Sequence, residues 1–284
     1  MNEYCIYLLY FLAALSGNRK GVLEMIWFIY LLAGAGAGIV TGLAGLSAAV
    51  VITPLLVGIC GWDSYDAVTV ALAADVLASM LTARTYQKNK NIDVCRGLMV
   101  GITALIGTTI GSYCGYLFNQ AQPDGLGMIA MLTTIFLGIK FLIRPVSGGA
   151  SADGFEEGSR AAAKTILAMA CGLGIGWVCG FTGSGGGILM LTVFTIVLGY
   201  NLKVAVGTST MIMTFVAFVG AVSHFLMGAQ IHLLPMTVIV LICLLGAVTA
   251  AKFANKCEIV RLNHIIGIVL FLLGTFTIVM KFVV

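Results

Sequence analysis

The sequence predicts an all-α, polytopic membrane protein. It is built from two inverted-topology repeats of about five hydrophobic segments each, with glycine-broken or re-entrant helices. Three observations carry this expectation. Charged residues are 9% of the chain and hydrophobic ones 60%, whereas a soluble domain holds roughly 25% charged residues. The second half matches the first without gaps when slid by 138 positions, so that Gly34, Gly36, Gly38, Gly42, Gly45 and Gly61 fall on Gly172, Gly174, Gly176, Gly180, Gly183 and Gly199. Glycine is common here, but this many coincidences in register favour duplication. Third, loops at equivalent places in the two halves carry opposite charge bias.

The chain is expected to divide into an N-terminal extension (1–20), a first transmembrane repeat (21–144), a cytoplasmic linker (145–162) and a second repeat (163–284). Residues 4–15 are apolar but too few for an untilted span of about twenty. The preceding Glu3 makes a poor signal peptide, so they read as a short extra helix. The first repeat holds segments A (25–43), B (47–60), C (66–86), D (97–118) and E (126–143). The second holds A′ (164–182), B′ (186–199), C′ (203–224), D′ (232–254) and E′ (263–281). The stretch from Pro145 to Ser159, polar and glycine-rich with Asp153, Glu156 and Glu157, reads as the linker.

Loop charges set the orientation. The C–D loop region carries Arg84, Lys88, Lys90 and Arg96, and the C′–D′ loop from Met227 to Ile231 carries no Lys or Arg. The D–E pair reverses this: Asn119 to Gly125 has no basic residue, while Lys252, Lys256 and Arg261 surround the D′–E′ loop. The positive-inside rule then places equivalent loops on opposite faces, so the repeats are inverted. This requires A and B to return the chain to the side it came from. B and B′, about fourteen residues each, rise only about 21 Å against a hydrocarbon core of about 30 Å. They are either strongly tilted or re-entrant.

Several function classes are excluded or disfavoured. No Walker-type phosphate loop is present and no room remains for an ATP-binding domain, so movement of a solute must draw on a gradient or a separate partner. The net charge of +4 sits in short loops, where it orients the chain rather than binding nucleic acid. The eight cysteines form no Cys-x-x-Cys pair and read as small packing residues. No metal, cofactor or enzymatic activity is expected. The expected partners are a small anion and membrane lipid, with a homodimer left open.

The most informative stretch is Gly180-Phe-Thr-Gly-Ser-Gly-Gly-Gly-Ile188, echoed by Gly42-Leu-Ala-Gly-Leu-Ser-Ala-Ala-Val50. Glycines this dense break a helix. Broken backbone at membrane depth is tolerated only where protein or a water-filled cavity satisfies it. Two such breaks in matching halves point to the substrate site of a secondary transporter.

These residues resemble the sulfite exporter TauE/SafE family of membrane transporters. The likeness is strongest in Gly180 to Gly187 followed by Lys203-Val-Ala-Val-Gly-Thr-Ser209. It is echoed by Gly42 to Ser47, Pro54, the turn from Trp62 to Ala67, and Gly107 with Gly111. It extends from about residue 25 onward. The resemblance implies export or exchange of small sulfur oxyanions and organosulfonates. The first half departs from the fuller pattern: Ser47-Ala48-Ala49 replaces the triple glycine, and Val70-Ala71 stands where Thr208-Ser209 stand. The two halves are therefore not chemically equivalent.

A glycine turn opening a helix leaves its first N–H groups free at the positive end of the helix dipole, where an oxyanion can bind without a cationic side chain. The candidate substrate-binding residues are Thr182, Gly183, Ser184, Gly185, Gly186 and Gly187. Thr208 and Ser209 on C′ join them, with Thr210 beside, and Thr41 and Ser47 come from the inverted partner. Close helix packing through small residues is the competing reading. Asp75, midway along C with no basic residue within two helical turns, is an ionisable residue at depth and the candidate for proton coupling; the competing reading is a neutral Asp hydrogen-bonded across helices, or one reaching water if C is displaced. Its repeat counterpart is Met213. Arg84 and Lys203 are either anion attractors or topology anchors. His224 and His232 flank the outer C′–D′ loop and read as interfacial. The rival functions are an anion channel and a membrane-embedded serine hydrolase using Ser184 with His224.

Overall fold

The computed structural model describes residues 19–122, 125–143, 159–183, 186–230 and 232–255, together with 264, 268, 271, 272 and 275. These residues are helical apart from the connections. In chain order the helices are α1 (Arg19–Ala44), α2 (Ala49–Gly58), α3 (Ser64–Lys88), α4 (Val94–Ala121), α5 (Gly125–Ile143), α6 (Ser159–Thr182), α7 (Gly186–Ile196), α8 (Leu202–Leu226) and α9 (Leu233–Ala254). Each matches one of the segments A to D′ to within six residues at either end. The N-terminal stretch 4–15, the acidic part of the linker and nearly all of E′ lie outside the described residues.

Six of these helices contain stretches long and apolar enough to cross a membrane, and the protein is a multi-pass membrane protein. α2 and α7 do not qualify by length. At 10 and 11 residues, a rise of 1.5 Å each takes them through only about half a hydrocarbon core. Large apolar side chains point outward along α4, at Ile102, Ile106, Ile110, Tyr113 and Leu117. Their three- and four-residue spacing makes one lipid-facing stripe.

Polar residues cap the helix starts. Asp63 accepts from the Tyr65 amide (2.8 Å), Asp93 from that of Arg96 (3.1 Å) and Asn201 from that of Val204 (2.9 Å). Each satisfies an amide that the first helical turn leaves without a partner.

Glycine permits the closest helix crossings. A Cβ on Gly38 or Gly42 of α1 would overlap the Cys243 or Ala247 carbonyl of α9. A Cβ on their repeat partners, Gly176 and Gly180 of α6, would overlap the Ala104 or Thr108 carbonyl of α4. Backbones at this range gain dispersion that lipid would not supply. The residue pairing also gives direction. Residues increase together along α1 and α9, and along α4 and α6, so both pairs are parallel. α3 and α8 are antiparallel: Thr69 meets His224 and Ser79 meets Thr214.

One end of the bundle gathers the α3–α4 connection, the start of α8 and the end of α9. There Asn91 Nδ2 reaches Asn255 Oδ1 (3.4 Å) and the Lys203 ammonium donates to the Asn255 carbonyl (2.8 Å). Lys203 thus caps the C-terminus of α9. The opposite end holds Asp63, Asp66 and Gln230, whose amide donates to Asp66 (2.7 Å). There too Trp62, just after α2, packs edge-on to both Tyr30 of α1 and His232. α1 and α2 therefore form a dip that returns to the end it left. Tyr200, just after α7, donates to Asp93 at the basic end, from which the parallel pair α4 and α6 both run. α6 and α7 dip from that end. The two dips enter from opposite ends of the bundle.

Candidate functional site

Both dips turn on a glycine in the left-handed region, Gly45 (φ 65°) and Gly183 (φ 66°). A side chain rarely adopts this backbone, which commonly ends helices. The Gly45 amide donates to the Thr41 carbonyl (2.8 Å) and the Gly183 amide to that of Cys179 (2.7 Å), so the two turns share one backbone hydrogen-bond pattern.

The two turns meet inside the bundle. Ser47 Oγ lies 2.9 Å from the Gly183 carbonyl oxygen and 2.5 Å from Asp75 Oδ2. The Ala48 amide donates to Asp75 Oδ1 (2.6 Å). A Cβ on Gly187 would overlap the Gly45 carbonyl. Asp75 is 1% exposed. No basic residue lies near Asp75 along the chain. The fold brings it from the middle of α3 to the N-terminal end of α2, where its oxygens sit as an anion on a helix start would.

The second turn is built differently. Met213 takes the place of Asp75. A Cβ on Gly186 would lie 2.9 Å from Cys179 Sγ and 3.1 Å from Met213 Sδ, and Cys179 Sγ accepts from the Gly186 amide. Thiol and thioether are weak acceptors, and the described residues bring no carboxylate to the start of α7.

The other candidates divide. Ser209 Oγ bonds its own helix at Val206 (3.0 Å) and lies 3.4 Å from where a Cβ on Gly45 would stand. The Thr210 methyl packs there too. Thr208 faces elsewhere, accepting from the Asp93 amide (3.0 Å) near the basic end. Thr41 is buried, and its hydroxyl has no partner among the described residues. Thr182 donates to Val178 (2.9 Å). Ser184 and Gly185 lie outside the described residues.

His224 departs from its interfacial reading. It is 0% exposed and stacks on Tyr65 with centroids 4.2 Å apart. Its Nε2 lies 3.0 Å from the Gly180 carbonyl and its Nδ1 3.4 Å from Thr69 Oγ1. Both nitrogens are therefore engaged, which leaves this ring a poor base for any serine. Near the basic end, burial pushes the Tyr200 phenol up from its usual range, so it stays a donor to Asp93. Among the described residues no group of three His, Cys, Asp or Glu could hold a metal ion.

Sequence reasoning passed over Cys179 and the Ser79–Thr214 contact between α3 and α8 (3.0 Å). Cys179 was reachable, since it falls on Thr41 when the halves are slid.

Comparison with known proteins fits this architecture. The family described as Sulfite exporter TauE/SafE matches residues 30–277. The chain is similar to the "Probable membrane transporter protein YunE" of Bacillus subtilis (strain 168), 28% identical over 264 residues that cover 88% of this chain and 96% of that protein. No solved structure matches.

Proposed function

Because the chain belongs to the sulfite exporter TauE/SafE family of membrane transporters, we propose that it is a secondary transporter of small sulfur-containing oxyanions, such as sulfite or organosulfonates, that exports them by alternating access. The observation that supports this most is the meeting of two dips from opposite ends at Ser47 and Gly183 and at Gly45 and Gly187. Such a junction can be reached from one end or the other by small movements of either half, which is what alternating access needs.

In this reading the anion sits at the start of α7, on the amides of the glycine turn Gly183 to Gly187, with Thr182, Ser184 and Ser209 beside it. No cation is required there, because the helix start supplies the positive potential. Thr41 contributes a hydroxyl from the first half. Asp75 carries the coupling proton. Thr208 is dropped from the anion shell, being engaged by Asp93.

The test is countertransport in proteoliposomes against a panel of sulfite, sulfate, thiosulfate and small organosulfonates. Substrate on the far side is expected to accelerate uptake of labelled sulfite severalfold. Equal rates with and without it would mean a channel, and no movement of any panel member would sink the substrate class.

The repeats are further proposed to be inverted across the membrane, with the basic end cytoplasmic. In a background lacking the exposed Cys95, Asn89→Cys is expected to react with an impermeant maleimide only from the cytoplasmic side, and Gln230→Cys only from outside. Labelling of both from one side would overturn the topology.

A further inference from the structure

The chemistry of one hydroxyl sets a limit on the junction. Ser47 Oγ has two acceptors within reach, Asp75 Oδ2 at 2.5 Å and the Gly183 carbonyl at 2.9 Å. A serine hydroxyl has a single hydrogen to donate. Both contacts cannot be donated at once. If Asp75 is ionised, its Oδ2 can only accept, so the hydrogen of Ser47 must turn to it. The Gly183 carbonyl then loses its Ser47 donor. If Asp75 is protonated at Oδ2, the carboxyl itself donates to Ser47 Oγ, and the Ser47 hydrogen is free to turn to Gly183. Oδ1 accepts from the Ala48 amide in both states.

We infer that Ser47 is the positioning residue that ties the two halves together: a proton on Asp75 turns the Ser47 hydroxyl onto Gly183 and fastens the turns, and its loss releases them. This rests on the reading of Asp75 as the proton carrier and deepens it. The proton comes from, and returns to, the aqueous side to which the junction opens. No covalent bond changes except the O–H of the carboxyl, and the Ser47 hydroxyl only rotates.

The surroundings suit such a device. Ser47 and Asp75 are each 1% exposed, so water does not compete as a third partner. The groups that face Asp75 are few. From the turn that leads into α2 they are Ser47 and the Ala48 amide. The titratable ones are thiols, Cys179 on α6 and Cys243 on α9. On its own helix Ser79 bonds the Asp75 carbonyl, and from α8 Thr214 bonds Ser79. No cation of the described residues holds the carboxylate in one state. Beside the tie the halves also meet backbone to backbone, since Gly187 lies against the Gly45 carbonyl. The second half has no equivalent, because Met213 and Gly186 stand where Asp75 and Ala48 stand in the first. The device is therefore single, and the first turn carries a carboxylate of the chain where the second is left to the anion.

The test is pH-titrated infrared difference spectroscopy on the full-length protein in lipid, with no substrate needed. Asp75→Asn identifies the protonated-carboxyl C=O band by removing it. In wild type that band should report an O–H with an acceptor. In Ser47→Ala it should move to higher wavenumber, because the O–H loses its acceptor, and Ser47→Thr should restore it. A band at the same position in wild type and Ser47→Ala overturns the relay while leaving proton coupling intact. Absence of any Asp75 band across the titration sinks proton coupling and the relay together. In proteoliposomes with sulfite as the probe, Ser47→Ala should lose tenfold or more of accumulation under a pH gradient, and Ser47→Thr should regain it. Wild-type accumulation by Ser47→Ala would overturn the relay. Failure of wild type itself to move sulfite would count against the substrate class alone, and the infrared result would then decide.

Discussion

An Asp75→Asn protein is expected to bind and exchange substrate at close to wild-type rates while accumulating none above equilibrium under a pH gradient. The geometry explains why both halves of that outcome belong together. Asparagine is nearly isosteric with the protonated acid. Its carbonyl oxygen can accept from Ala48, as Asp75 Oδ1 does at 2.6 Å, and its NH2 can donate to Ser47, which sits 2.5 Å from Oδ2. The Ala48 amide and the Ser47 hydroxyl both keep their partner, so the substitution does not incur the roughly 1–3 kcal/mol of orphaning either of them. The protein should fold, and it should cycle with the Ser47–Gly183 tie held as in the protonated state. It has nothing to protonate or release, so exchange, which moves no net proton, survives and coupled movement does not. The comparison is equilibrium exchange of labelled substrate against accumulation at a fixed pH gradient with the membrane potential clamped. Undiminished accumulation would make Asp75 a structural cap of α2. The driving force would then lie elsewhere, most simply in the membrane potential acting on the anion, worth about 2.3 kcal/mol per charge at 100 mV.

Asp75→Ala is a useful contrast. It leaves the Ala48 amide without its acceptor at the start of α2 and the Ser47 hydroxyl with the Gly183 carbonyl as its remaining one. Loss of folded protein in Asp75→Ala but not in Asp75→Asn would separate the capping role of this residue from its role as a proton carrier.

Much of the architecture was legible because the membrane makes it so. Apolar run length and loop charge are strong signals when every buried backbone group must be satisfied within the helix. The breaks at Gly45 and Gly183 were legible for the same reason: a glycine cluster inside an apolar run has few uses. What sequence could not give was the partner of each polar residue. Asp75 looked isolated because its partners are 27 and 28 residues away along the chain, across a helix break and a turn. His224 looked interfacial because it stands near the end of a long helix. It is buried because Tyr65 and Gly180 close over it from two other helices. Thr208 and Ser209 were read as one unit, yet neighbours on a helix point about 100° apart. One faces the first turn and the other caps into the Asp93 loop. The repeat alignment was the better guide. It placed Met213 at Asp75's position, which is the asymmetry the structure displays.

Adding a methyl group at Gly187 is expected to be as damaging as removing the carboxyl. The Cβ of Gly187→Ala would overlap the Gly45 carbonyl oxygen and press on Leu46 Cα at 3.0 Å. The obstacle is backbone on both sides, so no rotamer change relieves it. The turns must move apart, and both the Ser47–Gly183 contact and the path of an anion onto the α7 amides go with them. Gly186→Val meets a softer wall, the thiol of Cys179 and the thioether of Met213, whose flexible side chain can yield. It should impair substrate binding by filling the space over the helix start rather than by separating the halves. Losing even one hydrogen bond to a charged ligand is worth about 1.5–3 kcal/mol, a roughly tenfold to hundredfold fall in affinity. Gly187→Ala should show at least that loss in binding and a larger one in transport. Gly174→Ala supplies the control: it adds the same methyl on α6 where nothing lies within 4 Å, and should behave as wild type. The measurements are binding affinity for the best member of the anion panel, exchange rate, and the fraction of protein that elutes as a single species in detergent. Wild-type binding and exchange by a well-folded Gly187→Ala protein would mean that the meeting of the two turns is helix packing alone, and that the anion passes somewhere else.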